Sequence, residues 1–174
     1  IGLQSSANLV INPGLFFTIT AVSTIVGGTN NTATGNKTFI GGGGNNTSSS
    51  TGSTISGGEC NMSLCCYTTI GGGLCNTANG CQSTIGGGAS NLTSNMWSTV
   101  AGGVSNCACG DRSAIVGGNG NLASAYISFV GGGLSNTASG YQGAVVAGVG
   151  NTASATRAFV GGGCSNTASG TLSV

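Results

Sequence analysis

The stretch VGGGLSNTASG, Val130–Gly140, returns thirty residues later as VGGGCSNTASG, Val160–Gly170. Half of that interval is the true period. Blocks of fifteen residues begin at Ile25, Ile40, Ile55, Ile70, Ile85, Val100, Ile115, Val130, Val145 and Val160, with no insertion or deletion through Val174. Position one of each block is β-branched, and position four is always glycine, from Gly28 to Gly163. Position seven is always asparagine: Asn31, Asn46, Asn61, Asn76, Asn91, Asn106, Asn121, Asn136, Asn151 and Asn166. Position nine is small, and position fourteen is Ser or Thr except at Gly143 and Ala158. A fixed period of this size marks a repeat architecture whose units bury their faces against their neighbours. Fifteen glycine-rich residues with β-branched anchors are too short for a helical hairpin and suit one coil of a parallel β-solenoid, two short strands joined by two tight turns. We therefore expect an all-β solenoid of ten fifteen-residue coils over residues 25–174, preceded by a non-repeat segment, residues 1–24. The glycine column fits a turn position needing positive φ or close backbone approach. The asparagine column fits either amides stacked from coil to coil or turn residues in the left-handed region.

Composition narrows the function classes. Of 174 residues 36 are glycine, one is proline and five are charged: Lys37, Glu59, Asp111, Arg112 and Arg157. Typical domains are about 25% charged, so this surface must be covered by Ser, Thr, Asn and Gly. No basic groove for nucleic acid can be assembled from three cations, nor an electrostatically steered site for an acidic substrate. Collagen is excluded by the missing G-X-Y triplet and proline, and disorder is opposed by the unbroken register of Ile and Val. A chain of net charge +1 relies on neutral hydrogen-bonding groups for solubility and is prone to self-association. The apolar-leaning run Leu15–Val26 is short of the roughly 20 residues that span a bilayer, so no membrane insertion is expected. Eight cysteines in a charge-poor chain point to an extracellular location.

One large aliphatic per coil makes a thin core. Phe39, Phe129 and Phe159 at position fifteen, and Leu74, Val104, Leu134 and Val149 at position five, have no obvious burial within their own coil. Contacts between chains would cover them. The blocks IGGGLCNTANGCQST, VGGGLSNTASGYQGA and VGGGCSNTASGTLSV resemble the head repeats of trimeric autotransporter adhesins and related bacterial and phage fibre proteins. Repeats of that family are usually fourteen residues long and form a left-handed parallel β-roll. The resemblance implies a side-by-side homotrimer, an extracellular or virion-surface location and a glycan or host-surface ligand.

Cys60 and Cys75 share position six of adjacent blocks, and Cys66 and Cys81 share position twelve. Stacking would bring each pair within disulfide range, so bonds Cys60–Cys75 and Cys66–Cys81 are expected. Cys65, Cys107, Cys109 and Cys164 have no column neighbour and are left free or bonded between chains. With no His and no tight CxxC pairs, a zinc site is not expected, and no cofactor is implied. Sequons occur at Asn30, Asn36, Asn45, Asn46, Asn61 and Asn91. The asparagine column persists where no hydroxyl follows, so its role is structural, and Asn30, Asn36 and Asn45 remain as candidate glycan acceptors. Catalysis finds no base for a Ser or Cys nucleophile, and Glu59 and Asp111 lie blocks apart; an enzyme is not expected. Trp97, Tyr67, Tyr126 and Tyr141 sit at positions twelve and thirteen and suit contacts between chains, with sugar stacking as the alternative.

The function that follows is a structural or adhesive subunit of an extracellular fibre, a stiff shaft or head. End-to-end polymerisation would follow if residues 1–22 of one subunit covered the terminal coil of the next. The alternative is an ice-binding solenoid. Thr54, Thr69, Thr84 and Thr99 form one column, flanked by Ser53, Thr68, Ser83 and Ser98.

Overall fold

The computed structural model describes the backbone of residues 17–19 and all of residues 22–174. Each fifteen-residue block completes one circuit and lays its backbone on the circuit before. The expected segment 1–24 falls mostly outside the described residues. Within it Phe17–Ile19 (β1) pairs in parallel with Asn31–Ala33 (β3), and Thr24–Ile25 (β2) with Phe39–Ile40 (β4). The odd-numbered strands make one parallel sheet of eleven strands and the even-numbered ones a second of ten. Register steps by fifteen throughout, as in Leu92↔Cys107 and Thr84↔Thr99, except at the first rung, where Phe17 pairs Asn31, a step of fourteen. A third ladder of single parallel bridges runs along position five, from Thr29↔Gly44 through Val149↔Cys164. The coil therefore has three sides, each tied to the next coil by backbone hydrogen bonds such as Leu74 N to Gly88 O and Thr77 N to Asn91 O, both 2.9 Å.

Pleating sorts the side chains. In the second sheet position one points in and position fifteen out, so Ile40, Ile55, Ile70, Ile85, Val100, Ile115, Val130 and Val145 are fully enclosed. Opposite them the first sheet offers position nine, mostly Ala, and position seven, the asparagines. A large residue thus meets a small one across the coil, which leaves room for one aliphatic per rung. Position fourteen also points inward. Its hydroxyls tie the turn three residues back, as Ser113 Oγ donates to Gly110 O at 2.7 Å. Where position nine carries a hydroxyl, the two meet inside the core, as in Ser48 with Ser53 at 2.7 Å and Ser63 with Thr68.

The invariant Gly and Asn act as one device. Asn76 Nδ2 donates to Gly72 O in its own coil at 3.0 Å and to Gly88 O in the next at 2.9 Å. Its Oδ1 accepts the backbone N–H of Asn91 at 3.0 Å. Equivalent bonds recur along the column, from Asn31 to Asn166. Gly73, three residues before Asn76, has φ +94° and sits so close that a Cβ would collide with Gly88 O and lie 2.8 Å from Asn76 Nδ2. Glycine is required there on both counts.

Two further positions per coil are left-handed. Position six is Asn or Gly, which adopt positive φ most readily, in four coils and the small Ser or Cys in the other six. Position thirteen does not follow that preference: Tyr67, Trp97, Arg112, Ile127 and Leu172 all have φ between 53° and 61°. Their N–H groups bond the preceding coil, as Ile127 N does to Asp111 O at 3.0 Å. The corner is so over-determined that bulky residues are held in a region costing them about 1–2 kcal/mol.

Two substitutions test these assignments by urea denaturation. Asn91→Ala removes the donor to Gly87 O, one of two donors to Gly103 O and the acceptor of Asn106 N, and leaves the buried Asn106 N–H without its partner. It should cost about 3 kcal/mol or more, while Asn36→Ala, at an exposed position outside the left-handed region, stays within about 0.5 kcal/mol. Ile127→Asn, at an exposed corner with φ 53°, should raise stability by roughly 1 kcal/mol; a loss of stability would contradict the strain at position thirteen.

Candidate functional surfaces

The outward columns are what the molecule can offer a partner. On the second sheet these are positions fifteen and two. Over coils two to five they read Thr54/Ser56, Thr69/Gly71, Thr84/Gly86 and Thr99/Ala101, a narrow hydroxyl strip. The flanking Ser53, Thr68, Ser83 and Ser98 are buried, because pleating turns the neighbour of an outward residue inward. The hydroxyl array legible in the sequence is therefore one column wide on this face. Farther along, the same face reads Ala114/Val116, Phe129/Gly131, Ala144/Val146 and Phe159/Gly161, an apolar strip with one bulky group per rung. Each phenylalanine lies across the glycine two residues on: a Cβ on Gly131 would stand 3.4 Å from Phe129 Cε1, and Gly161 and Gly41 relate to Phe159 and Phe39 in the same way. The position-five ladder adds an exposed row of Leu74, Val104, Leu134 and Val149. A shallow groove beside Leu74 is lined by Thr29, Gly44, Asn45 and Glu59.

Among the described residues no group of three His, Cys, Asp or Glu side chains could hold a metal ion. Among the described residues no helix is long and apolar enough to cross a membrane.

The cysteine pairing differs from the expectation. The structure joins Cys65 to Cys81, with Cα atoms 4.8 Å apart, and Cys107 to Cys109 at 5.4 Å. Cys60, Cys66, Cys75 and Cys164 are thiols. Column sharing places Cys66 beside Cys81, but the Cys66 thiol turns toward Ser50 of the preceding coil, 3.3 Å away. Cys65, one position earlier on the corner, takes the diagonal bond instead. Cys107 and Cys109 flank inward-facing Ala108, so both emerge on the same outer face of one strand. Cys60 and Cys75 share the left-handed corner as neighbouring thiols. Desolvation raises the Cys60 thiol above its ordinary range, and the Cys75 and Glu59 side chains push it the same way.

Asn30, Asn36 and Asn45 are exposed, and Asn30 Nδ2 lies 3.4 Å from Asn45 Oδ1. The other sequon asparagines, Asn46, Asn61 and Asn91, are buried with their amides committed to the ladder.

The aromatic residues of the corner are engaged within the chain. The Arg112 guanidinium lies 4.6 Å over the Trp97 ring and 5.4 Å from the Tyr126 ring, and its Nη1 donates to Tyr126 Oη. Tyr126 and Tyr141 stack with centroids 5.4 Å apart, and Arg157 Nε donates to Gln142 Oε1 at 3.0 Å. Five consecutive coils are thus linked outside by side chains as well as inside by amides. No family model matches this chain, and no curated protein matches it either.

Alkylation of the unreduced protein near pH 8 should label Cys60, Cys66, Cys75 and Cys164 only. Cys60 should be slower than Cys164, because its raised pKa leaves less thiolate. Label on Cys65 or Cys81 before reduction would overturn the diagonal pairing.

Proposed function

We infer that this chain is a structural and adhesive unit of an extracellular fibre, a stiff shaft or head in which solenoids pack side by side as a parallel homotrimer. The observation that carries this proposal is the apolar strip Val116, Phe129, Val146 and Phe159, exposed in straight rows on a flat face that bears no charge. A row of this kind suits contact with another molecule, and stepped bulky and small residues let two faces approach closely. The long uninterrupted stack supports the shaft role. Ten coils at about 4.8 Å per rung make a rod of roughly 48 Å, tied throughout by backbone ladders and free of protruding loops. Its five charges and neutral Ser, Thr and Asn surface favour association over dispersion.

Analytical ultracentrifugation tests the assembly. The protein should sediment at about three times its 16.5 kDa chain mass, and the double substitution Phe129→Ser with Phe159→Ser should shift it to monomer while leaving the β-type circular dichroism intact. A monomer at all concentrations would sink the side-by-side packing.

A further inference from the structure

The corner formed by positions twelve and thirteen concentrates the chemistry of an otherwise neutral molecule. Four of its five charged residues, Lys37, Asp111, Arg112 and Arg157, lie there, with its single tryptophan and all three of its tyrosines. Arg112 is held between Trp97 and Tyr126 and hydrogen-bonded to the tyrosine hydroxyl. Exposed arginines ordinarily sample many rotamers, and ordering one on binding costs free energy. Here the ordering is done in advance by stacking, which suits a guanidinium well. Among the described residues neither arginine has a carboxylate partner; Asp111, the adjacent acidic group, keeps its Oδ1 buried and unpaired rather than turned to Arg112. Arg112 remains exposed, and only its Nη1 is committed to a hydrogen bond, so further donors of the fork are open to solvent.

The geometry points to Arg112 as the anion-binding residue of an acidic-sugar site on this corner. The facing rings within the stack cover one another, so a neutral sugar gains little from them. The distinctive offer is a pre-oriented planar fork, complementary to a carboxylate or sulfate carried on a sugar. Trp97, in contact with the guanidinium and 44% exposed, and Tyr141, stacked on Tyr126 and 46% exposed, offer apolar ring surface along the same corner. The corner runs along the solenoid axis, and Arg157 stands three coils farther on, so a chain of acidic sugars could follow it. This inference rests on the adhesive part of the function proposed above. It asks only for a soluble-ligand measurement on the chain itself, which reads the same whether the protein is monomer or trimer.

The lone Trp97 is the reporter. Its fluorescence is followed while the protein is titrated with 3′-sialyllactose, 3′-sulfolactose, lactose or sodium acetate at constant ionic strength. The two acidic sugars should give saturable changes with half-saturation on the order of millimolar, and lactose and acetate should give none over the same range. Response to one acidic sugar alone assigns the site to carboxylate or to sulfate. Arg112→Gln should weaken the response about tenfold or more, and Arg157→Gln should change it less than threefold at unaltered thermal stability. An isothermal titration of Arg112→Gln guards against the lost cation altering Trp97 emission by itself. Equal response to lactose, equal response to acetate, equal loss in Arg112→Gln and Arg157→Gln, or silence with every ligand would each overturn the assignment.

Discussion

The amide of the position-seven asparagine is the constraint on which the solenoid depends. A tight corner leaves backbone carbonyls pointing into the interior, where an unpaired group costs about 1–3 kcal/mol. One side chain answers two of them, in its own coil and the next, and hands its oxygen to the following asparagine. No other residue has two donors and an acceptor on so short a stem. The corner can close only if the position-four residue lacks a Cβ, which makes the Gly–Asn spacing as strict as the period itself. Outward positions away from this corner vary freely: position five runs from Gly44 to Leu74 and position thirteen from Gly52 to Trp97.

The interior is correspondingly unlike a conventional hydrophobic core. Ile or Val faces Ala across seven of the ten coils and Ser48, Ser63 or Thr93 across the others, and the inward polar groups are bonded. Ser48 and Ser53, or Ser63 and Thr68, occupy together what Ala and a turn-capping hydroxyl occupy elsewhere. Where position fourteen lacks a hydroxyl, at Gly143 and Ala158, the turn keeps the backbone N–H bond to Gly140 O and Ala155 O, which the serine coils from Ser83 to Ser128 make as well. The larger apolar groups are outside, in rows.

Much of the fold was legible because the columns that make it are those under the tightest steric and hydrogen-bonding demands. The β-branched anchors, the glycine and the asparagine report inward direction, positive φ and the amide ladder through residue type alone. Position thirteen was silent for the opposite reason. Its left-handed backbone is imposed by bonds to the preceding coil, and its outward side chain carries no signature of it: Tyr67, Trp97 and Ile127 look like ordinary surface residues. At the same corner column sharing places Cys66 beside Cys81 but does not tell which of the neighbouring thiols Cys65 and Cys66 bonds across the coils. The hydroxyl array was misjudged in width because adjacent Ser and Thr residues in a strand face opposite ways. The phenylalanine-over-glycine pairs and the Trp97–Arg112–Tyr126 stack join side chains of different positions. Reading one column at a time does not reveal them.

The asparagine column also has a sense of direction. Every amide in it is oriented alike, oxygen toward the following coil, and the terminal member of the described stack, Asn166, keeps that orientation. An inverted neighbour abutting this face would set carbonyl oxygen against carbonyl oxygen, whereas one arriving in the same sense would bring an N–H. Whatever continues the rod, a further stretch of polypeptide or a second molecule, is thereby sorted by polarity before any surface residue is consulted.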